Sequence, residues 1–135
     1  MPYTLNQAAN VMQIAECEWG VAQTIQFTRF TSCIGVLAKV TGVNSVIGIH
    51  LVLIDGQGNQ FTAGDVATVT QVLNAQNYDA NTVLIIGQIA VWQESANAAY
   101  NALVTALNPQ ETYPLANGTY GATVTAGGQI ELTYV

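Results

Sequence analysis

Positive charge is nearly missing from this sequence. Arg29 and Lys39 are its only side-chain cations against eight carboxylates, and charged residues make up 7% of 135, where a soluble domain ordinarily carries about 25%. Two cations cannot neutralise a row of phosphates, so nucleic acid is not an expected partner. The same shortage argues against an anionic membrane surface, and no apolar run reaches the roughly 20 residues needed to insert into and span a bilayer. Surface polarity must come from Asn, Gln, Thr and Ser.

Metal-binding side chains are equally scarce. One histidine and two cysteines give no zinc-ligand spacing, and neither a P-loop nor a GxGxxG occurs, so no metal and no cofactor are expected. Two cysteines allow one pair, Cys17 with Cys33, and not a disulfide framework. The opening MPYTLNQAANVMQ has neither a basic nor an apolar region of the signal-peptide kind, so no cleavable signal is expected there. What is present is apolar: half of the residues are hydrophobic, enough at this length for one domain, residues 1–135, to fold without staples. A monomer is expected.

The apolar residues are patterned. Met12 to Val21 alternates, with Ala15, Cys17, Trp19 and Val21 against Glu16 and Glu18, and Gln23 to Thr31 alternates Ile25 and Phe27 against Thr24, Gln26 and Thr28; both are predicted strands. Ile34–Val40 and Val46–Ile54 are β-branched runs of strand length and form the predicted core pair, joined by a turn at Gly42–Ser45. Asp55-Gly56-Gln57-Gly58-Asn59 is a turn. Thr62 and Asp65 open an amphipathic helix carrying Val66, Val69, Val72 and Leu73, ending near Asn77. Thr82–Val91 is a predicted strand in which Gly87 marks a bulge or a close backbone approach. A second helix is predicted from about Ser95 to Leu107, burying Ala99, Leu103 and Leu107 and stopped by Pro109. The terminal hairpin is predicted with a three-residue loop, Ala126–Gly128, because that register pairs Val124 with Ile130, Ala122 with Leu132 and Tyr120 with Tyr134. The expected fold is α/β of the α+β kind: a mixed, largely antiparallel sheet with two main helices.

The chemistry-bearing stretch is TRFTSCIGVLAKVTGVNSVIGIH, residues 28–50. Cys33 opens the first core strand and His50 closes the second, so a hairpin brings the two ends together. A thiol needs a base within hydrogen-bond reach to act as a nucleophile. Cys and His at strand ends also serve as plain packing residues.

This order of elements resembles the chemoreceptor glutamine deamidases of the CheD family and the catalytic domains of cytotoxic necrotizing factor toxins, over roughly residues 13–135. Thr31-Ser32-Cys33 matches the Gly-Ser-Cys of that family, His50 its histidine, and FTAGDVATVTQVL, TVLIIGQIAVW and ESANAAYNALVTAL its helix, strand and helix. NGTYGATVTAGGQIELTYV is similar to an ending that runs Gly-Gly-x-x-Gly-Arg into a hairpin, with Asn117 and Ala122 in place of the first Gly and the Arg. The orienting threonine of the family falls at Phe27, so either the Thr28 hydroxyl or the Phe27 main-chain carbonyl is expected to orient His50. Leu51 follows the histidine where the chemotaxis enzymes commonly carry proline, which places the chain nearer the toxin branch.

The resemblance implies a hydrolase acting on a glutamine side chain of a partner protein. Cys33 is the implied nucleophile and His50 the base, with the backbone N–H of Cys33 and of Ser32 as oxyanion donors. It also implies a bacterial source, in the cytoplasm or secreted without a recognisable signal. The rival expectation is a non-catalytic binding module or secreted antigen on the same fold, since fold does not dictate function.

Overall fold

Among the described residues nine strands divide into two sheets that meet at the chain's central hairpin. The computed structural model describes residues 2–135. The strands are β1 (Asn6–Gln7), β2 (Glu18–Ala22), β3 (Thr24–Gln26), β4 (Ile34–Lys39), β5 (Val46–Leu51), β6 (Leu84–Gly87), β7 (Glu111–Pro114), β8 (Tyr120–Val124) and β9 (Ile130–Tyr134); the helices are α1 (Val66–Ala75), α2 (Ile89–Ser95) and α3 (Asn97–Leu107). Six strands form one sheet in the order β1-β2-β5-β4-β6-β7, and β3-β8-β9 form the other. The expected mixed, largely antiparallel α+β fold is what the chain adopts, with parallel pairs only at the two edges, β1 with β2 and β6 with β7.

The β4–β5 hairpin is the centre of the larger sheet, and its two faces go to different layers. Ile34, Val36 and Ala38 of β4 and Ile47, Ile49 and Leu51 of β5 are buried with Val69, Leu73, Trp92, Leu103 and Leu107 from the helices. The alternate residues, among them Leu37 and Val46, are buried with Ile25, Phe27, Phe30, Ala122 and Val124 from the smaller sheet and the loop that follows β3. The central strands are therefore covered on both faces, which is why they read as continuous apolar runs. Each fully buried Leu, Ile or Phe contributes roughly 1.5–3 kcal/mol relative to exposure.

The hairpin register is the predicted one, with Tyr120, Ala122 and Val124 opposite Tyr134, Leu132 and Ile130. Asp55 is a turn residue, its Oδ1 accepting from the N–H groups of Gln57 and Asn59. The Asp65 carboxylate accepts from both the N–H and the hydroxyl of Thr62, fixing the entrance to α1.

Four elements differ from the sequence reading, the first being the strand predicted for Gln23–Thr31, which is confined to Thr24–Gln26 and gives way to a loop that tucks Phe27 and Phe30 into the core. Met12–Val21 is not one strand: β2 starts at Glu18, because Cys17 lies at φ 64°, a left-handed conformation no strand accommodates. The strand predicted for Thr82–Val91 ends at Gly87, and Ile89 to Val91 belong to α2. The predicted helix from Ser95 is preceded by this separate α2, divided from α3 at Ala96 by an extended φ of −143°.

Candidate functional site

His50 sits opposite Gly35 in the β4–β5 ladder. Glycine there leaves room for two rings: an added Cβ would lie 3.0 Å from ring atoms of both Phe27 and Phe30, which would have to shift by a few tenths of an ångström. Those two rings pack on the imidazole, with centroids 5.5 Å and 4.8 Å from it. Cys33 precedes Gly35 by two residues and is buried in the same cluster as Phe27 and Phe30. The period-2 rule of the strand thus carries Cys33 and His50 to one face, diagonal neighbours at the end of the hairpin.

The imidazole is fully buried, and its two nitrogens have different fates. Nδ1 lies 2.8 Å from the Ile14 main-chain oxygen. A carbonyl only accepts, so Nδ1 carries the proton and the neutral ring presents a bare lone pair at Nε2. Nε2 is buried and has no hydrogen-bond partner among the described residues. Burial lowers the His50 pKa below its ordinary value against the opposing Ile14 hydrogen bond, so the neutral, basic form is the resting one. An unmet buried acceptor costs about 1–3 kcal/mol.

Ile14 is the orienting group, and this corrects the sequence expectation. Neither the Thr28 hydroxyl nor the Phe27 carbonyl holds His50; Thr28 joins the arrangement through its main-chain N–H, which donates to the same Ile14 oxygen at 2.9 Å. The chain between Ile14 and Glu18 then turns over the site. Cys17 N–H donates to the His50 carbonyl at 2.8 Å, and Ala15 N–H donates to the Glu18 side chain at 2.9 Å.

The Cys33 thiol is fully buried, and its sulfur faces Glu16 Oε2 and the Thr31 carbonyl, each at 3.5 Å; no hydrogen bond joins it to His50. Burial, with the Glu16 carboxylate beside it, pushes its pKa up to about 12. The resting pair is thus a neutral thiol and a neutral imidazole on one face. Cys17 is a free, half-buried thiol, and no disulfide is present.

Before Cys33 the backbone is strained. Ser32 lies at φ 64°, costing on the order of 1 kcal/mol. Among the described residues four that are not glycine have positive φ: Asn77 and Asn108 follow helices, where Asn is common, whereas Cys17 and Ser32 flank the thiol and imidazole. Three contacts hold the Ser32–Cys33 peptide. Trp92 Nε1–H donates to the Ser32 carbonyl at 3.0 Å, Gln88 N–H to the Cys33 carbonyl at 2.9 Å, and Ser32 N–H to Asn117 Oδ1 at 3.0 Å. Gly87, at φ 115°, is the predicted close approach, since a Cβ would come within 2.5 Å of the Cys33 carbonyl oxygen. Of the two expected oxyanion donors, Ser32 N–H is therefore occupied. Cys33 N–H makes no hydrogen bond among the described residues.

Asn117 was identified in the sequence only as a departure from the resembled ending. In the fold it has a positive role, its Oδ1 also accepting from Gln88 Nε2 at 2.9 Å. Among the described residues no group of three or more His, Cys, Asp or Glu is placed to hold a metal ion, and no helix is long and apolar enough to cross a membrane. A polar cavity of about 400 Å³, lined in part by Lys39, Asn81, Gln110, Glu111 and Gln129, lies away from the Cys33 thiol, at the opposite end of β4. No protein-family model matches the chain, and no curated protein sequence does.

Proposed function

We propose that the chain is a cysteine-dependent amidohydrolase that converts a glutamine side chain of a partner protein to glutamate. The observation that carries the reading is the bare, neutral Nε2 of His50 on the same sheet face as Cys33, held in that tautomer by Ile14. A packing histidine ordinarily meets both nitrogens or turns one to solvent; this one keeps an unused base on the sheet face that also buries the thiol.

In the proposed reaction His50 Nε2 takes the Cys33 proton as sulfur attacks the amide carbon, and the Cys33 N–H receives the developing oxyanion. The imidazolium protonates the amide nitrogen, the C–N bond breaks and ammonia leaves, with a thioester on Cys33. Water, its proton passing to His50, then hydrolyses the thioester to the carboxylate and returns the thiol. Amide plus water gives carboxylate plus ammonium, so no cofactor is required. General-base assistance of this kind accounts for 10²–10⁴ in rate.

A binding module on the same scaffold is the second reading, and the raised thiol pKa favours it. The test is incubation with a library of glutamine-containing peptides and folded proteins, scored by mass spectrometry for conversion of amide to acid. Conversion that disappears in Cys33→Ser and falls at least about 10²-fold in His50→Gln supports the hydrolase. Conversion indifferent to both substitutions overturns it.

A further inference from the structure

The carboxylate of Glu16 is not needed to hold the turn that carries it. That turn is fixed by its neighbours. Ile14 oxygen accepts from His50 Nδ1 and Thr28 N–H, Cys17 N–H donates to the His50 carbonyl, Asn6 N–H donates to the Cys17 carbonyl, and the Ala15–Glu18 segment closes on itself through Ala15 N–H to Glu18 Oε1 and Glu18 N–H to the Ala15 carbonyl. With the backbone pinned on both sides, the exposed Glu16 side chain is the part left to swing, and it rests with Oε2 3.5 Å from the buried sulfur. The only hydrogen bond it makes among the described residues is that contact.

Among the described residues no ion pair neutralises this carboxylate. Its two side-chain cations are Arg29 and Lys39, and Lys39 lines the cavity at the other end of β4; the described residues make no ion pair with Glu16. An exposed carboxylate in contact with a buried thiol, on a chain of net charge −6, sets up a local field that concentrates cations.

From this we infer that Glu16 sets substrate preference at the site, selecting a glutamine that has a lysine or arginine side chain beside it and releasing the Cys33 thiol when that cation draws the carboxylate away. The inference rests on Cys33 and His50 being the working pair, and it adds what the pair accepts. A carboxylate in the resting position holds the thiol as S–H and opposes thiolate formation; paired with a guanidinium or ammonium it does neither. Recognition and activation of the nucleophile are then one movement of one side chain. Glu16 in this account positions and selects, and does not touch the reacting carbon.

The test does not depend on finding the substrate. Cys33 in the intact chain is modified with two methanethiosulfonates of equal length, one ending in trimethylammonium and one in sulfonate, and the rate is read at Cys33 by peptide mapping so that Cys17 is scored separately. At low ionic strength the cationic reagent is expected to react about tenfold faster than the anionic one, and Glu16→Gln to reduce that ratio at least about fivefold, with most of the change in a faster anionic rate. Glu131→Gln on β9, which removes the same charge elsewhere, is expected to leave the ratio unchanged. A ratio that Glu16→Gln does not move, or that Glu131→Gln moves equally, overturns the inference. The peptide library separates this from the hydrolase reading: conversion without preference for flanking Lys or Arg overturns the role of Glu16 and leaves the hydrolase standing, whereas a Glu16-dependent reagent preference without conversion of any glutamine overturns the hydrolase and, with it, the glutamine selection, leaving only the effect of the Glu16 charge on Cys33.

Discussion

The same two strands build both faces of the central hairpin, yet the faces hold different kinds of core. Toward the helices, β4 and β5 present Ile34, Val36, Ile47, Ile49 and Leu51 to Val69, Leu73, Trp92 and Leu103. Toward the smaller sheet they present Gly35, Gly48 and His50 to Ile25, Phe27 and Phe30, with Cys33 at the end of the row. The first face stabilises by filling space. The second leaves a buried nitrogen unmet and, at the adjoining turns, keeps Ser32 and Cys17 in left-handed conformations. Stored strain and an unsatisfied group on one side of the sheet are offset by a well-packed apolar layer on the other.

Three substitutions and a pH series sharpen this contrast. Leu103→Ala, on the helix face, is expected to cost about 2–5 kcal/mol in urea denaturation through the cavity it opens, while the relative reactivity of Cys33 across pH keeps its shape. A smaller loss, about 1 kcal/mol, is expected of Asn117→Ala, which strips the acceptor from Ser32 N–H and Gln88 Nε2; faster hydrogen exchange at the Ser32 amide is the check. His50→Leu is expected to change stability by less than about 1 kcal/mol, or to raise it, because the lost Nδ1 bond is matched by removal of the unmet Nε2, and Ile14 oxygen still accepts from Thr28. A loss in His50→Leu as large as that of Leu103→Ala would mean that the two faces are alike.

The pH series concerns the same nitrogen. His50 has a folded pKa below its unfolded value of about 6.5. Between those two values the unfolded chain binds more protons, so stability rises with pH. The contribution is complete above about pH 6.5 and is lost as pH falls toward the depressed folded value. The difference between wild type and His50→Leu is therefore expected to shift in favour of the mutant as urea midpoints are taken from pH 8 down to 5.

Much of the frame was legible in the residues. The β-branched runs at 34–40 and 46–54, the turn between them, the cross-strand apolar pairs of the last hairpin and the close approach at Gly87 each follow from a side-chain period or a missing Cβ. The 12–21 segment was not legible, because Ala15, Cys17, Trp19 and Val21 alternate as a strand would while Cys17 takes a conformation usually left to Gly or Asn. The break between α2 and α3 falls at Ala96, with neither Pro nor Gly to mark it. That Cys33 and His50 share one sheet face could be expected from their places at the ends of two paired strands. The group that orients His50 could not, because a main-chain carbonyl has no signature in sequence, and the neighbouring Thr28 offered a plausible hydroxyl that the fold leaves unused.

The central claim is that His50 is the base for Cys33, and the rate of Cys33 alkylation by iodoacetamide against pH, read by peptide mapping in wild type and His50→Leu, tests it most directly. The titratable groups that act on the thiol are Glu16, in contact with it, and Cys17, and His50 lies on the same sheet face. In wild type the rate is expected to rise through the depressed His50 titration, below about pH 6.5, and then to level, as the neutral imidazole takes the proton during attack. In His50→Leu that limb is expected to vanish, leaving only a slow climb toward the thiol's own value of about 12. Two profiles that superimpose would contradict the account, and would leave Cys33 and His50 as neighbours in a core with no chemistry between them.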